Sequence, residues 1–268
     1  MGQIIELPDI AALKREIQEL KKSLEELVFE RDELRFVVCE NIKMTYMLEI
    51  GNLEYRVYDA YCDYLRLRRK KELIQAKKNR QEPIQMDAID SFLDIEFQEY
   101  KKKRDEKIDE INQAIERSKM ESMPEEEAAE FKTMYRSIVK SLHPDLNPDT
   151  TDAEKELFVH ATDAYKEGDF GTLQLIFQMI ESEHHHESEP SSLSKLQSEK
   201  KRTQILVDRV KADIEFIKTT VPYIWRIYLE DENKKAEKIS KLQTELKSFQ
   251  EAIRTQQELI NDLMRNET

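Results

Sequence analysis

Apolar residues return at three- and four-residue steps along almost the whole chain, and this spacing limits it to helices packed side by side. Residues three and four apart share one face of an α-helix, so the pattern makes stripes that are buried only against other helices. Ile10, Leu13, Ile17, Leu20, Leu24, Leu27, Leu34 and Val38 form the first stripe, with Arg31 as its one break and Asp9 as the expected N-cap. From Ile42 to about Lys78 the stripe widens through Met44, Met47, Leu48, Ile50, Leu53, Val57, Ala60, Tyr61 and Tyr64, which calls for two helical neighbours rather than one. Gln81-Glu82-Pro83 stops that helix. Another runs from about Ala88 to Met120, with Ile89, Phe92, Ile95, Ile108, Ile111 and Ile115 among its apolar positions. Near the C-terminus Leu193, Leu196, Thr203, Val207, Val210, Ile214, Ile217 and Val221 keep a heptad register, with Lys200 in one slot. Pro222 interrupts it, and Ile239, Leu242, Leu246, Phe249, Ile253, Ile260 and Leu263 resume it, with Gln256 filling a slot. Only four glycines and a 37% share of charged residues lead to the same all-α class.

The expected architecture is elongated coiled-coil helices with an inserted helical hairpin. It comprises an N-terminal coiled coil over 9–80, a second helix over 88–120 packing on that stalk, a hairpin unit over 122–183, a polar linker over 184–192 and a C-terminal coiled coil over 193–268, interrupted at Pro222. A helix of about 70 residues is about 100 Å long. The N-terminal helix and the C-terminal segment are of similar length, so they are expected to pair antiparallel as a stalk, with the hairpin near one end. A homodimer through the same seams is the alternative, because a seam does not name its partner.

The hairpin unit carries the most specific signal. Phe131, Met134, Tyr135, Ile138, Val139 and Leu142 line one face of a helix that Pro144 ends at about His143. A polar loop, Leu146-Asn147-Pro148-Asp149-Thr150, leads to a second helix. Thr151 and Glu154 read as its capping box, and Phe158, Ala161, Ala164 and Tyr165 as its inner face. Gly168 is expected to end it and Asp169 to cap a further short helix. Ser122 and Pro124 are expected to open the helix before His143-Pro144-Asp145.

Two antiparallel helices joined by His-Pro-Asp resemble the J-domain of DnaJ-type co-chaperones. The resemblance covers about residues 125–168. Tyr135 stands eight residues before His143 as the family's tyrosine does, Arg136 follows as its basic residue, and Asn147-Pro148 and the Phe158-Ala161-Ala164-Tyr165 pattern also match. No Tyr-x-x-Leu-Gly-like stretch precedes Phe131, and the helix ending near Met120 is the candidate for the packing role of the family's first helix. The resemblance implies a non-catalytic co-chaperone that recruits and stimulates a DnaK-type ATPase through His143, Pro144 and Asp145. A client or complex would be held by the coiled coils. Asp145 would offer an exposed carboxylate to an arginine, His143 directional hydrogen bonding and Pro144 a fixed backbone. Lys132, Arg136 and Lys140, at successive i+4 steps, would steer the helix onto an acidic surface. The alternative is a coiled-coil scaffold or assembly protein whose hairpin is only a protein-binding module.

Other classes are less well served. The net charge of −13 argues against a dedicated nucleic-acid binder. The basic run Arg66, Arg68, Arg69, Lys70, Lys71, Lys77, Lys78 and Arg80, preceded by Tyr55, Tyr58, Tyr61 and Tyr64, reads as a solvated helix end before an RNA contact. His184-His185-His186 falls in the polar linker, which offers a metal no fixed geometry. Cys39 and Cys62 are too few for a zinc site or a disulfide scaffold. No nucleotide-binding loop, zinc-protease motif or nucleophile–base pair is present, so no catalytic residue, metal or cofactor is expected. No apolar run is long enough to span a bilayer and no leader is visible, so a cytoplasmic location, without membrane contact, is the expectation.

Overall fold

The computed structural model describes residues 8–120, 123–181 and 193–265. Within these the chain is helical, without a strand: α1 (Pro8–Glu33), a π-helical turn (Leu34–Val38), α2 (Cys39–Tyr46), a second π-helical turn (Met47–Gly51), α3 (Asn52–Asn79), α4 (Met86–Glu96), α5 (Gln98–Ser118), α6 (Glu125–Leu142), α7 (Asp152–Glu167), α8 (Phe170–Glu181), α9 (Leu193–Thr219), a 3₁₀ turn (Tyr223–Trp225), α10 (Arg226–Glu230) and α11 (Glu232–Arg265). The side chain of Asp9, Ser122, and the linker with His184, His185 and His186 lie outside the described residues.

The helices form two compact units, Met1–Asn41 with Glu121–Ile224 and Ile42–Met120 with Trp225–Thr268. In the first, the seam of α1 faces α9. Ile17, Leu24 and Val28 are buried there, as are Leu196, Val207, Val210 and Ile214. The two helices run parallel, since Glu16 pairs with Lys200 at 2.6 Å and Glu30, farther along α1, pairs with Lys218 at 2.9 Å. The second unit repeats the arrangement. Glu54 pairs with Lys238 at 2.8 Å, while Lys78, farther along α3, donates to the Leu263 carbonyl at 2.8 Å, so α3 and α11 are also parallel. The expected antiparallel pairing is therefore wrong, although the helices pair within the chain. The apolar stripe specifies a face, not a direction. Direction follows from the return path, which α5 supplies along α3 and α2 (Arg104 to Asp59 at 3.0 Å, Glu110 to Lys43 at 4.0 Å) and α6 supplies along α1. As its wide stripe requires, α3 packs against more than one helix, meeting α4, α5 and α11.

The hairpin helices pack on one another and share a core with α1 and α9. α6, α7 and α8 each pack on the other two. Tyr135 stacks on Tyr165 with ring centroids 3.9 Å apart, and Phe131 stacks on Tyr165 at 5.2 Å and on Phe170 at 6.1 Å. Ile138, Val139, Ala161 and Leu173 fill the rest and are fully buried. The expected capping box is present: Thr151 Oγ1 accepts from the Glu154 N–H at 3.3 Å, and Glu154 Oε2 accepts from the Thr151 N–H at 2.7 Å. Gly168 ends α7 at φ 72°, a left-handed conformation that a side chain disfavours, and Asp169 Oδ1 accepts from the Thr172 N–H at 3.0 Å to open α8.

Candidate partner-binding site

His143 leaves the helix with φ −63° and ψ 126°, the extended backbone that a following proline imposes, while its N–H still donates to the Val139 carbonyl at 3.0 Å. The carbonyl of His143 then gathers the loop, accepting from the N–H groups of Leu146 at 3.0 Å and Asn147 at 2.8 Å. Asn147 Nδ2 donates to the Lys140 carbonyl at 2.9 Å, tying the loop to an otherwise open helix end. The loop is thus held by short-range hydrogen bonds and needs no partner to be ordered.

The side chains of the loop do not all face outward. Pro144 is exposed and the Asp145 side chain is 32% exposed, but His143 is only 6% exposed. Its ring stands edge-on to Phe158 at 5.0 Å. The Asp145 N–H donates to Nδ1 at 3.0 Å, and Nη2 of Arg31 lies 3.0 Å from Nε2. A neutral imidazole accepts at one nitrogen only, so in either tautomer one of these N–H groups meets a ring N–H. Protonation would set an N–H against a donor on both sides. Burial, and after it the Arg31 charge, hold the His143 pKa below its ordinary value, with Asp32 and Asp145 acting the other way. His143 is therefore a buried, neutral side chain whose ring nitrogens face Arg31 and the Asp145 N–H rather than a partner.

Arg31 organises the rest. Its Nε and Nη2 donate to Asp32 Oδ1 at 2.9 and 2.8 Å, and its Nη1 lies 3.9 Å from Asp145 Oδ2. Asp32 is 2% exposed and also accepts from the Tyr135 hydroxyl at 3.2 Å. Burial and then the Asp32 charge push the Tyr135 pKa well up, so this hydroxyl remains a donor. The basic stripe of α6 lies along the same helix. Lys132 pairs with Glu33, the Arg136 guanidinium sits 4.8 Å over the Phe29 ring, and Lys140 is 3.6 Å from Glu25. His143, Asp145, Lys132, Arg136 and Lys140 are thus brought to one surface, and α1 lies along it, burying His143 while Lys132, Arg136 and Lys140 stay exposed. Beside it an open groove of about 570 Å³ runs between Lys21, Lys140, Asp145, Asn147 and Arg202.

The sequence reading missed Glu25, Phe29, Arg31, Asp32 and Glu33. The available signal was the break at Arg31, a cation in a seam position that α-helical spacing points inward. The helix expected to pack beside the hairpin was also misassigned. The helix ending near Met120 is α5, which packs on α3 in the other unit, and α1 lies against α6 instead.

The remaining candidates resolve locally. In the basic run, Arg66 meets Asp94 at 2.8 Å, Lys70 meets Asp90 at 2.8 Å and Arg69 meets Glu96 at 3.1 Å, so the acids of α4 neutralise much of it. Tyr61 and Tyr64 pack on Phe249. Cys39 and Cys62 are free and buried, and burial raises both thiol pKa values, which suits inert packing residues. Among the described residues there is no group of ligands able to hold a metal ion and no helix long and apolar enough to cross a membrane. No family model, curated protein or solved structure matches the chain.

Proposed function

We propose that the chain is a non-catalytic J-domain-like co-chaperone acting in the cytoplasm. It would recruit a DnaK-type ATPase through the His143-Pro144-Asp145 loop and the basic stripe Lys132, Arg136 and Lys140, while its paired helices hold a client or complex. One observation carries this reading: an internally braced loop presents Pro144 and the Asp145 carboxylate on the same surface as the stripe. That placement supports recognition by a partner with a cation for Asp145 and acidic groups for the stripe. A second reading, a coiled-coil scaffold or assembly protein whose hairpin is only a protein-binding module, is favoured by the contacts that α1 already makes with the same residues.

Single-turnover ATP hydrolysis by the DnaK-type chaperone of the same organism separates the two. The co-chaperone reading expects the full-length chain to accelerate hydrolysis and the Asp145→Asn variant to lose the effect. It fails if neither the wild type nor a variant with α1 loosened accelerates hydrolysis, and the scaffold reading then stands.

A further inference from the structure

We infer that residues 25–33 of α1 are an internal stand-in for the partner's docking surface, so that the loop and stripe are latent until α1 is displaced. The inference rests on the co-chaperone reading and adds its regulation and the chemistry of the partner: a surface that sets an arginine among acidic and aromatic groups.

The match is residue by residue. Glu33, Phe29 and Glu25 meet Lys132, Arg136 and Lys140 in register along antiparallel helices, and Arg31 lies where it reaches both His143 and Asp145. Charge complementarity of this kind is what a basic stripe asks of an external partner. A helix that served only to brace α6 would be held by apolar packing, because replacing a buried ion pair by well-packed apolar groups is often neutral or stabilising. Here the interface has that apolar packing, through Leu24 and Val28, and keeps costly polar groups beside it. Asp32 and His143 are buried, the His143 ring faces an N–H donor at each nitrogen, and the Tyr165 hydroxyl is buried with no hydrogen-bond partner. These are the marks of a contact made for recognition rather than for the most stable packing.

Each side keeps contacts of its own when the shared core around Leu24 and Val28 opens. α1 has its own seam with α9, and α6, α7 and α8 share a stacked aromatic core. The pairs along the stripe are half exposed or more on the lysine side, where ion pairs are individually weak, so the latch is a sum of small contacts around the Arg31 cluster. A partner sees only the open fraction, and its apparent affinity falls by that fraction.

The test uses the full-length chain with Glu25→Lys and Glu33→Lys together. These change α1 alone and leave the hairpin intact. Glu16→Lys, which breaks a surface pair with α9, is the control. Single-turnover ATP hydrolysis by the DnaK-type chaperone and hydrogen exchange of α6 are read side by side. A latch predicts faster exchange in α6 and about tenfold more stimulation than the wild type at subsaturating concentration, unchanged in the control and abolished by adding Asp145→Asn. Equal stimulation by wild type and double variant overturns the latch and leaves the co-chaperone reading standing. Faster exchange in α6 without stimulation by any form overturns the co-chaperone reading, and the latch with it.

Discussion

Replacing Arg31 by methionine keeps most of the side-chain length and removes the cation that partners a buried carboxylate. Asp32 is 2% exposed, and its Oδ1 accepts from Arg31 Nε and Nη2 at 2.9 and 2.8 Å; after the change only the Tyr135 hydroxyl, 3.2 Å from Oδ2, remains. Removing one partner of a buried pair typically costs about 3–5 kcal/mol, mostly because the other charge stays buried without compensation. Arg31 is 12% exposed, so solvent offers little relief. The double change Arg31→Met with Asp32→Asn removes the stranded charge while keeping an oxygen for Tyr135. It should recover most of the loss, leaving a coupling of about 2 kcal/mol or more between the two positions. Trp225 belongs to the other unit, so its fluorescence does not read this cluster. Hydrogen exchange of α6 and α7 does. A loss of 3–5 kcal/mol should lower protection there by roughly two to nearly four decades, at about 1.4 kcal/mol per tenfold. A fall of less than tenfold in Arg31→Met, or a double variant no better protected than the single one, would refute the view that Arg31 and Asp32 act as a buried pair.

The remaining predictions concern pH and the core of the second unit. The His143 pKa is lower in the folded chain than the ordinary value of 6.5, so below that pH the unfolded chain binds a proton that the folded one resists. Stability of the hairpin unit is then full above about pH 6.5 and declines as pH falls toward the lower folded value, by at most about 1.4 kcal/mol per pH unit. The urea midpoint of α6 and α7, read by pulsed hydrogen exchange at pH 7.5 and 5.5, should fall more in the wild type than in His143→Asn; equal falls would show that His143 is not the source. In the second unit Leu93 of α4 is completely buried with Ile74, Ile89 and Ile260, and Leu93→Ala should cost about 2–5 kcal/mol. Because Trp225 lies in that unit, its fluorescence in urea should report the loss, and an unshifted midpoint would contradict the packing.

The helices and their inner faces were legible because an amphipathic stripe is a local pattern. The residues of the α6 stripe, the Thr151–Glu154 capping box and the Gly168 stop all lie within a few positions of the groups they serve. Direction was not legible. Ile17 and Val207 would be buried equally well in a parallel or an antiparallel pair, and only the path of the intervening chain separates the two. The same limit applies to the site. His143, Asp145 and the stripe declare themselves by spacing along one element, but their counterparts on α1 are more than a hundred positions away from the loop. No periodicity relates Arg31 to His143. The trace that did exist was negative, a charged residue where the heptad asked for an apolar one. Sequence alone does not distinguish such a break from a solvated irregularity.

The contact with α1 also decides which residue of the tripeptide can serve as a probe of function. A change at His143 removes a ring packed against Phe158, leaves Nη2 of Arg31 with Asp32 alone and leaves the Asp145 N–H without its acceptor. Lost stimulation in such a variant would mix a missing partner contact with a rearranged interface, and a loosened latch could mask the loss. Asp145 is the cleaner position. Its side chain is 32% exposed and reaches Arg31 only at 3.9 Å, beyond hydrogen-bonding distance, and the loop is braced by its own backbone N–H and by Asn147 rather than by its carboxylate. Asp145→Asn preserves shape and the backbone hydrogen bond while removing the charge that a partner's cation would seek. If the carboxylate is a recognition group, this substitution abolishes stimulation while hydrogen exchange in α6 and α7 stays within a fewfold of wild type. If its role is to restrain Arg31 in the closed state, the same substitution speeds exchange in α6 and leaves stimulation intact.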